Sequence, residues 1–174
     1  MKCVRTLIAL AIASFALSAS AATLPTDGSW TEVDFDGPGS ALYDLGSLDT
    51  SFSFNLNQNS VLRIVDAGFS GDRFSISANG SLLGLTSAPV QQDAAAEPVF
   101  DAAAAWHDSH FSKGSWNLGA GSYTITGLAT LSPFSGGFGY MSVTAVPEPT
   151  SWGMLLAGLG LIGVIARRNS ARRA

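Results

Sequence analysis

One cysteine, two histidines and nine basic residues are the whole stock of those side chains in this 174-residue sequence. The lone cysteine, Cys3, excludes an internal disulfide and a thiolate metal site. Positive charge is scarcest in the middle. Only Arg63, Arg73 and Lys113 lie between residues 22 and 146, against twelve acids, a formal charge of −9 for that stretch. Nucleic-acid binding draws most of its affinity from Lys and Arg neutralising phosphates, so such a body is excluded as a nucleic-acid binder. The same stretch lacks any sustained 3.6-residue periodicity, which argues against a helical domain. Long apolar runs are missing from it too; the hydrophobic share of 47% is concentrated at the two ends.

The N-terminal end reads as a secretory signal over residues 1–22. Lys2 and Arg5 form a positive segment, Leu7 to Leu17 an eleven-residue apolar segment, and Ala19-Ser20-Ala21 a small-residue cleavage site. Eleven apolar residues are about half of the ~20 needed to span a bilayer. Cleavage is therefore expected, with the mature chain starting at Ala22 or Thr23. Cys3 precedes the apolar segment and leaves with it, so the mature protein has no thiol. The Sec translocon and signal peptidase are the expected partners of this segment.

At the other end, Ser151 to Ala166 is an uncharged apolar run of sixteen residues bounded by Trp152 and by Arg167 and Arg168. A helix over 151–166 would be ~24 Å long, short against a ~30 Å hydrocarbon core. Arginine snorkelling and local thinning absorb a modest shortfall. Trp152 suits one interface, while Arg167 and Arg168 act as the membrane stop on the cytoplasmic side. Just before this run stands Val146-Pro147-Glu148-Pro149-Thr150. The two prolines bias their preceding residues toward extended backbone, the form an endopeptidase grips.

Pro147, Glu148 and Pro149, the Gly/Leu-rich helix and the arginine cluster together resemble the PEP-CTERM sorting signal of Gram-negative bacteria, over residues 146–174. The resemblance implies an inner-membrane-anchored precursor, cleavage near the motif by the membrane transpeptidase exosortase, and transfer to the cell surface or extracellular matrix. It also implies association with exopolysaccharide and biofilm production.

The exported part, residues 23–145, is punctuated into short β segments. Phe52, Phe54 and Leu56 alternate with polar residues, Val61 to Val65 is a β-branched run, and Phe74, Ile76 and Ala78 lead into Asn79-Gly80, a type I′ turn pair. A two-residue loop there pairs Ala78 with Ser81, Ile76 with Leu83 and Phe74 with Leu85. Further strands are expected at Trp30–Phe35, Leu42–Leu45, Ser115–Leu118, Tyr123–Leu128 and Phe138–Val143. Asp101 is positioned to cap a short surface helix over Ala102–Ala105. The spacing indicates an all-β antiparallel sandwich or barrel, flanked by the N-terminal signal helix and the C-terminal membrane helix. Residues 48–143, notably Val61–Val65, the segment Asp66–Phe74 and the Asn79-Gly80 hairpin, resemble a jelly-roll-like β-sandwich of bacterial surface proteins and some fungal secreted ones. A fold of that kind does not fix an activity.

For chemistry, Trp106-His107-Asp108-Ser109-His110 holds both histidines, but no Gly-x-Ser-x-Gly elbow accompanies it, and a metal there would need ligands from elsewhere. No catalytic residue and no enzymatic activity are expected. Among the acids, Asp34 and Asp36 share one side of a strand, and Asp66 and Asp72 bracket a glycine-containing loop. Calcium takes six to eight oxygens, and Asp66 and Asp72 are the candidate ligands; the other reading has Asp72, beside Arg73 and near Arg63, fixing the loop. No other cofactor is expected. Trp30, Trp106 and Trp116 serve as packing or, if exposed, as sugar-stacking platforms. The expectation is a non-enzymatic, structural or adhesive surface protein; the alternative is a calcium-assisted carbohydrate-binding module.

Overall fold

The structure, a computed structural model, describes residues 20–91, 97–147 and 153–162. The sandwich elements among the described residues follow in chain order: β1 Ala22–Thr23, β2 Asp27–Phe35, β3 Phe52–Leu56, β4 Ser60–Asp66, β5 Arg73–Ala78, β6 Ser81–Leu85, α1 Ala102–His107, β7 Lys113–Leu118, β8 Gly121–Leu131 and β9 Gly137–Ala145. They form a five-stranded sheet of order β1-β3-β8-β5-β6 and a four-stranded sheet of order β2-β9-β4-β7. From β3 onward the chain crosses between the two sheets at every connection except the β5–β6 hairpin. This is the sandwich that the alternating pattern anticipates. It departs from an all-antiparallel arrangement at one place, because β1 lies parallel to β3.

The period-2 alternation builds the core. Phe52, Phe54 and Leu56 of β3, Leu62 and Ile64 of β4, and Phe74 and Ile76 of β5 all point inward and are buried with Val33, Ile125, Met141 and Val143. Full burial of a side chain such as Phe52 contributes about 1.5–3 kcal/mol. Packing is close where β9 carries Gly139: a Cβ there would sit 2.6 Å from the Val65 carbonyl oxygen. A smaller second cluster lies under α1, where Ala105 and Phe111 pack with Val65 and Ala67.

The turn at Asn79-Gly80 has the left-handed backbone that type I′ requires, with φ of 49° and 78°. Its register differs from the one expected beyond the first pair. Ala78 faces Ser81, but a bulge intervenes, so that Ile76 faces Gly84 and Ser75 faces Leu85. Leu82 still faces Ser77 and points outward, while the bulge beyond it turns Leu85 outward and leaves Leu83 against the core. Residues 42–45 do not form a strand. Ala41 and Tyr43 make isolated bridges to Leu128 and Asp34, Leu42 fills the core, and the Asp44 side chain accepts from the Ser47 N–H at 2.8 Å, which turns the chain away.

Residues 1–19 of the expected secretory segment 1–22 lie outside the described residues, as do Glu148, Pro149, Arg167 and Arg168. Pro147 is exposed immediately after β9. Of the apolar run 151–166, residues 153–162 are helical and exposed, with Met154, Leu155, Leu156, Leu159, Leu161 and Ile162 uncovered. Among the described residues no helix is long and apolar enough to cross a membrane.

Candidate functional site

The loop from β4 to β5 brings the two predicted acids together. Asp66, the last residue of β4, is fully buried, and Asp72, just before β5, is 2% exposed. Asp66 Oδ2 accepts the N–H groups of Gly71 and Asp72 at 3.2 and 3.1 Å, so the carboxylate closes the loop that it opens. The Oδ1 atoms of Asp66 and Asp72 are buried and unpartnered among the described residues. Burial, then the neighbouring charge of Asp72, pushes the Asp66 carboxyl up to about 9. Burial pushes Asp72 up to about 6, opposed by hydrogen bonds to Ser132 and Asp66. At neutral pH the pair therefore holds one shared proton and one negative charge.

Arginine does not neutralise this pair, contrary to the loop-fixing alternative. Arg73 turns away, and its Nε donates to the Thr86 carbonyl at 3.0 Å. Arg63 lies with its guanidinium 5.4 Å from the centre of the Trp106 ring. Side chains at successive positions of a strand point to opposite faces, which separates Arg73 from Asp72. As calcium ligands the two acids offer their free Oδ1 atoms, and no group of three or more His, Cys, Asp or Glu that could hold a metal occurs among the described residues. Calcium would have to draw most of its six to eight oxygens from carbonyls or water.

The other candidates disperse. Asp34 is half-buried on β2, its carboxyl raised by burial and then by Glu32, Asp44 and Asp36. Asp36 lies beyond the strand and accepts from the Tyr43 hydroxyl at 3.0 Å. Asp101 caps α1 as expected, its Oδ1 accepting from the Ala104 N–H at 2.6 Å. His107 and His110 are exposed, and His110 Nδ1 lies 2.7 Å from Asp108 Oδ1. Trp30 and Trp106 meet at 5.7 Å in the cluster under α1, and Trp116 packs on the main core. The tryptophans thus serve as packing.

Beside Asp72 opens a cleft of about 130 Å³ that the sequence pattern does not reveal. Its walls are Phe69, Phe100, Phe134 and Phe138, brought together from the β4–β5 loop, the segment before α1, the β8–β9 loop and β9. Phe100 lies parallel to Phe138 with centroids 5.8 Å apart, and Phe69 meets Phe134 at 5.6 Å. Paired hydrogen bonds of 2.8 Å between Gly68 and Val99 hold the outer wall, and the Tyr140 hydroxyl donates to the Phe100 carbonyl at 2.7 Å. Gly68, at φ +75°, keeps the space open, since a Cβ there would meet the Phe138 ring at 3.0 Å. One sequence signal marks the place: Phe-Ser-Gly occurs at 69–71 and again at 134–136, and the two copies meet.

Residues 145–173 match the family described as the PEP-CTERM protein-sorting motif. The chain thus carries that sorting signal, which makes it an exported, membrane-anchored precursor with exosortase as its processing partner. No curated protein matches the chain. Among solved structures, the pre-peptidase C-terminal domain of collagenase from Bacillus anthracis is similar at 11% identity and a TM-score of 0.39, over 71% of this chain and 94% of that one. The C-terminal CBM6 of LamC, a marine laminarinase from Zobellia galactanivorans, is similar at 17% identity and a TM-score of 0.34, over 67% and 99%. A β-1,3-glucan-binding CBM6 from Bacillus halodurans is similar at 13% identity and a TM-score of 0.33, over 72% and 98%.

Proposed function

We propose, with the sorting signal as premise, that this chain is a non-catalytic β-sandwich module delivered to the cell surface or extracellular matrix. There it serves a structural or adhesive role associated with exopolysaccharide and biofilm. The observation that carries this reading is the sorting motif at 145–173 joined without a spacer to β9, which ends at Ala145. Export runs through the Sec translocon and signal peptidase at the expected cleavage site after residue 21 or 22. Retention in the inner membrane rests on the apolar run 151–166 and on Arg167 and Arg168. Pro147, Glu148 and Pro149 present the segment that exosortase cuts. Fractionation of cells with and without exosortase, with mass spectrometry of the mature C-terminus, tests this. The expected result is a surface-exposed product lacking the arginine tail, and its loss to the inner-membrane fraction in the exosortase-null strain. A full-length chain in the cytosol of both strains refutes it.

A second reading, a calcium-assisted carbohydrate-binding module, is favoured by one observation, the two unpartnered buried oxygens of Asp66 and Asp72. A ligand bound only by the folded state stabilises it by RT ln(1 + [L]/Kd), about 2.7 kcal/mol at a hundredfold excess over Kd. A rise in Tm with calcium, reversed by EDTA and absent in Asp66→Asn, supports this reading, as does EDTA-sensitive binding on a glycan array. An unchanged Tm removes it.

A further inference from the structure

We propose that the aromatic cleft beside Asp72 is a binding site for a compact organic cation, an ammonium or guanidinium group on a short carbon stem. Four observations converge on that class. The cleft is walled by the Phe69, Phe100, Phe134 and Phe138 rings, whose faces attract a cation held against them. Among the described residues Asp72 is the one charged side chain lining it, and at 2% exposure its attraction for a cation is weakly screened. A volume of about 130 Å³ accommodates a headgroup with a few carbons. The domain around it has twelve acids against three bases, a field that concentrates cations at its surface.

A neutral sugar ring fits less well. Its hydroxyls would face phenyl walls with a single carboxylate side chain to receive them, and unpaired buried hydroxyls are unfavourable. Phe100 adds a further pointer. It is 67% exposed, yet its ring is fixed parallel to Phe138 by the backbone bonds at Val99 and Phe100. A large apolar ring held at the lip of a cleft gains burial when a ligand enters.

The site is independent of the sorting reading but shares Asp72 with the calcium reading, and EDTA in the experiment keeps the two apart. The full-length chain in a non-ionic detergent, with EDTA present, is titrated with n-butylammonium, 1-butanol and glucose, and binding is followed by saturation-transfer NMR. Butylammonium should bind at least about tenfold more tightly than 1-butanol, a difference of about 1.4 kcal/mol. Asp72→Asn, which keeps the shape and removes the charge, should abolish that preference. Phe100→Ala, at an exposed position outside both buried clusters, should weaken butylammonium by about two- to fivefold while the chain stays folded. Spermidine and an N-acetyl-lysine amide carry the same group from different sources, and the tighter of the two identifies which source is used. Equal binding of butylammonium and 1-butanol, preference for glucose, or an Asp72→Asn variant that keeps the ammonium preference each overturns the proposal.

Discussion

Replacing Asp66 by asparagine should make the domain more stable at alkaline pH, an unusual outcome for substituting a buried acid. The folded pair keeps its shared proton up to about pH 9, while the unfolded carboxyl, near 3.8, has already lost it. A group whose folded pKa is raised binds more protons folded than unfolded. Its contribution is therefore complete below about pH 4 and is lost as pH rises toward 9. The slope is one proton, ~1.4 kcal/mol per pH unit. Asp72, raised to about 6, acts in the same direction but contributes little slope above pH ~6.5. Between pH ~6.5 and ~8 the remaining loss is thus ~2 kcal/mol from Asp66 alone. The substituted amide stays neutral at every pH and can accept the Gly71 and Asp72 N–H groups through its oxygen. The gap between Asp66→Asn and the parent should then widen by ~2 kcal/mol over that interval, or ~8 °C in Tm for a domain of this size. Urea unfolding followed by tryptophan fluorescence, in EDTA, measures it, and other titrating groups cancel in the difference. A gap that stays constant or narrows as pH rises would refute the shared-proton description of the pair.

Two other substitutions probe the frame around that pair. Gly139→Ala pushes a methyl group against the Val65 carbonyl at 2.6 Å, a backbone atom that cannot rotate away, and should destabilise the sandwich by about 1–3 kcal/mol in denaturant titration. Asp101→Ala removes the side-chain acceptor of the Ala104 N–H and should cost about 1 kcal/mol, with the loss of amide-exchange protection confined to α1.

Much of this frame was legible because strand chemistry is local. The alternation of Phe52, Phe54 and Leu56 marks β3, Asn79-Gly80 marks the turn between β5 and β6, and Asp101 marks the start of α1. The hairpin register failed two residues from the turn because Gly84, at φ +150°, admits a bulge that pattern alone does not reveal. The bracketing of a loop by Asp66 and Asp72 was visible, but their isolation from Arg63 and Arg73 was not. That depends on which face of each strand a side chain takes and on Trp106 drawing Arg63 aside. The cleft was out of reach for a different reason. Phe69, Phe100, Phe134 and Phe138 belong to three separate connections and a strand, and only the crossing between sheets makes them neighbours. The doubled Phe-Ser-Gly was the single trace of it in the linear order.

The join between β9 and the sorting segment has a mechanical side. β9 is an interior strand, laddered to β2 on one flank and β4 on the other, and Val146 extends the grip by donating to the Asn59 carbonyl at 2.8 Å. Tension applied through the C-terminal end would load both ladders lengthwise, so that their rungs resist together instead of opening one after another like a zipper. A module tethered at that end would take the load across the middle of its four-stranded sheet and not at an edge.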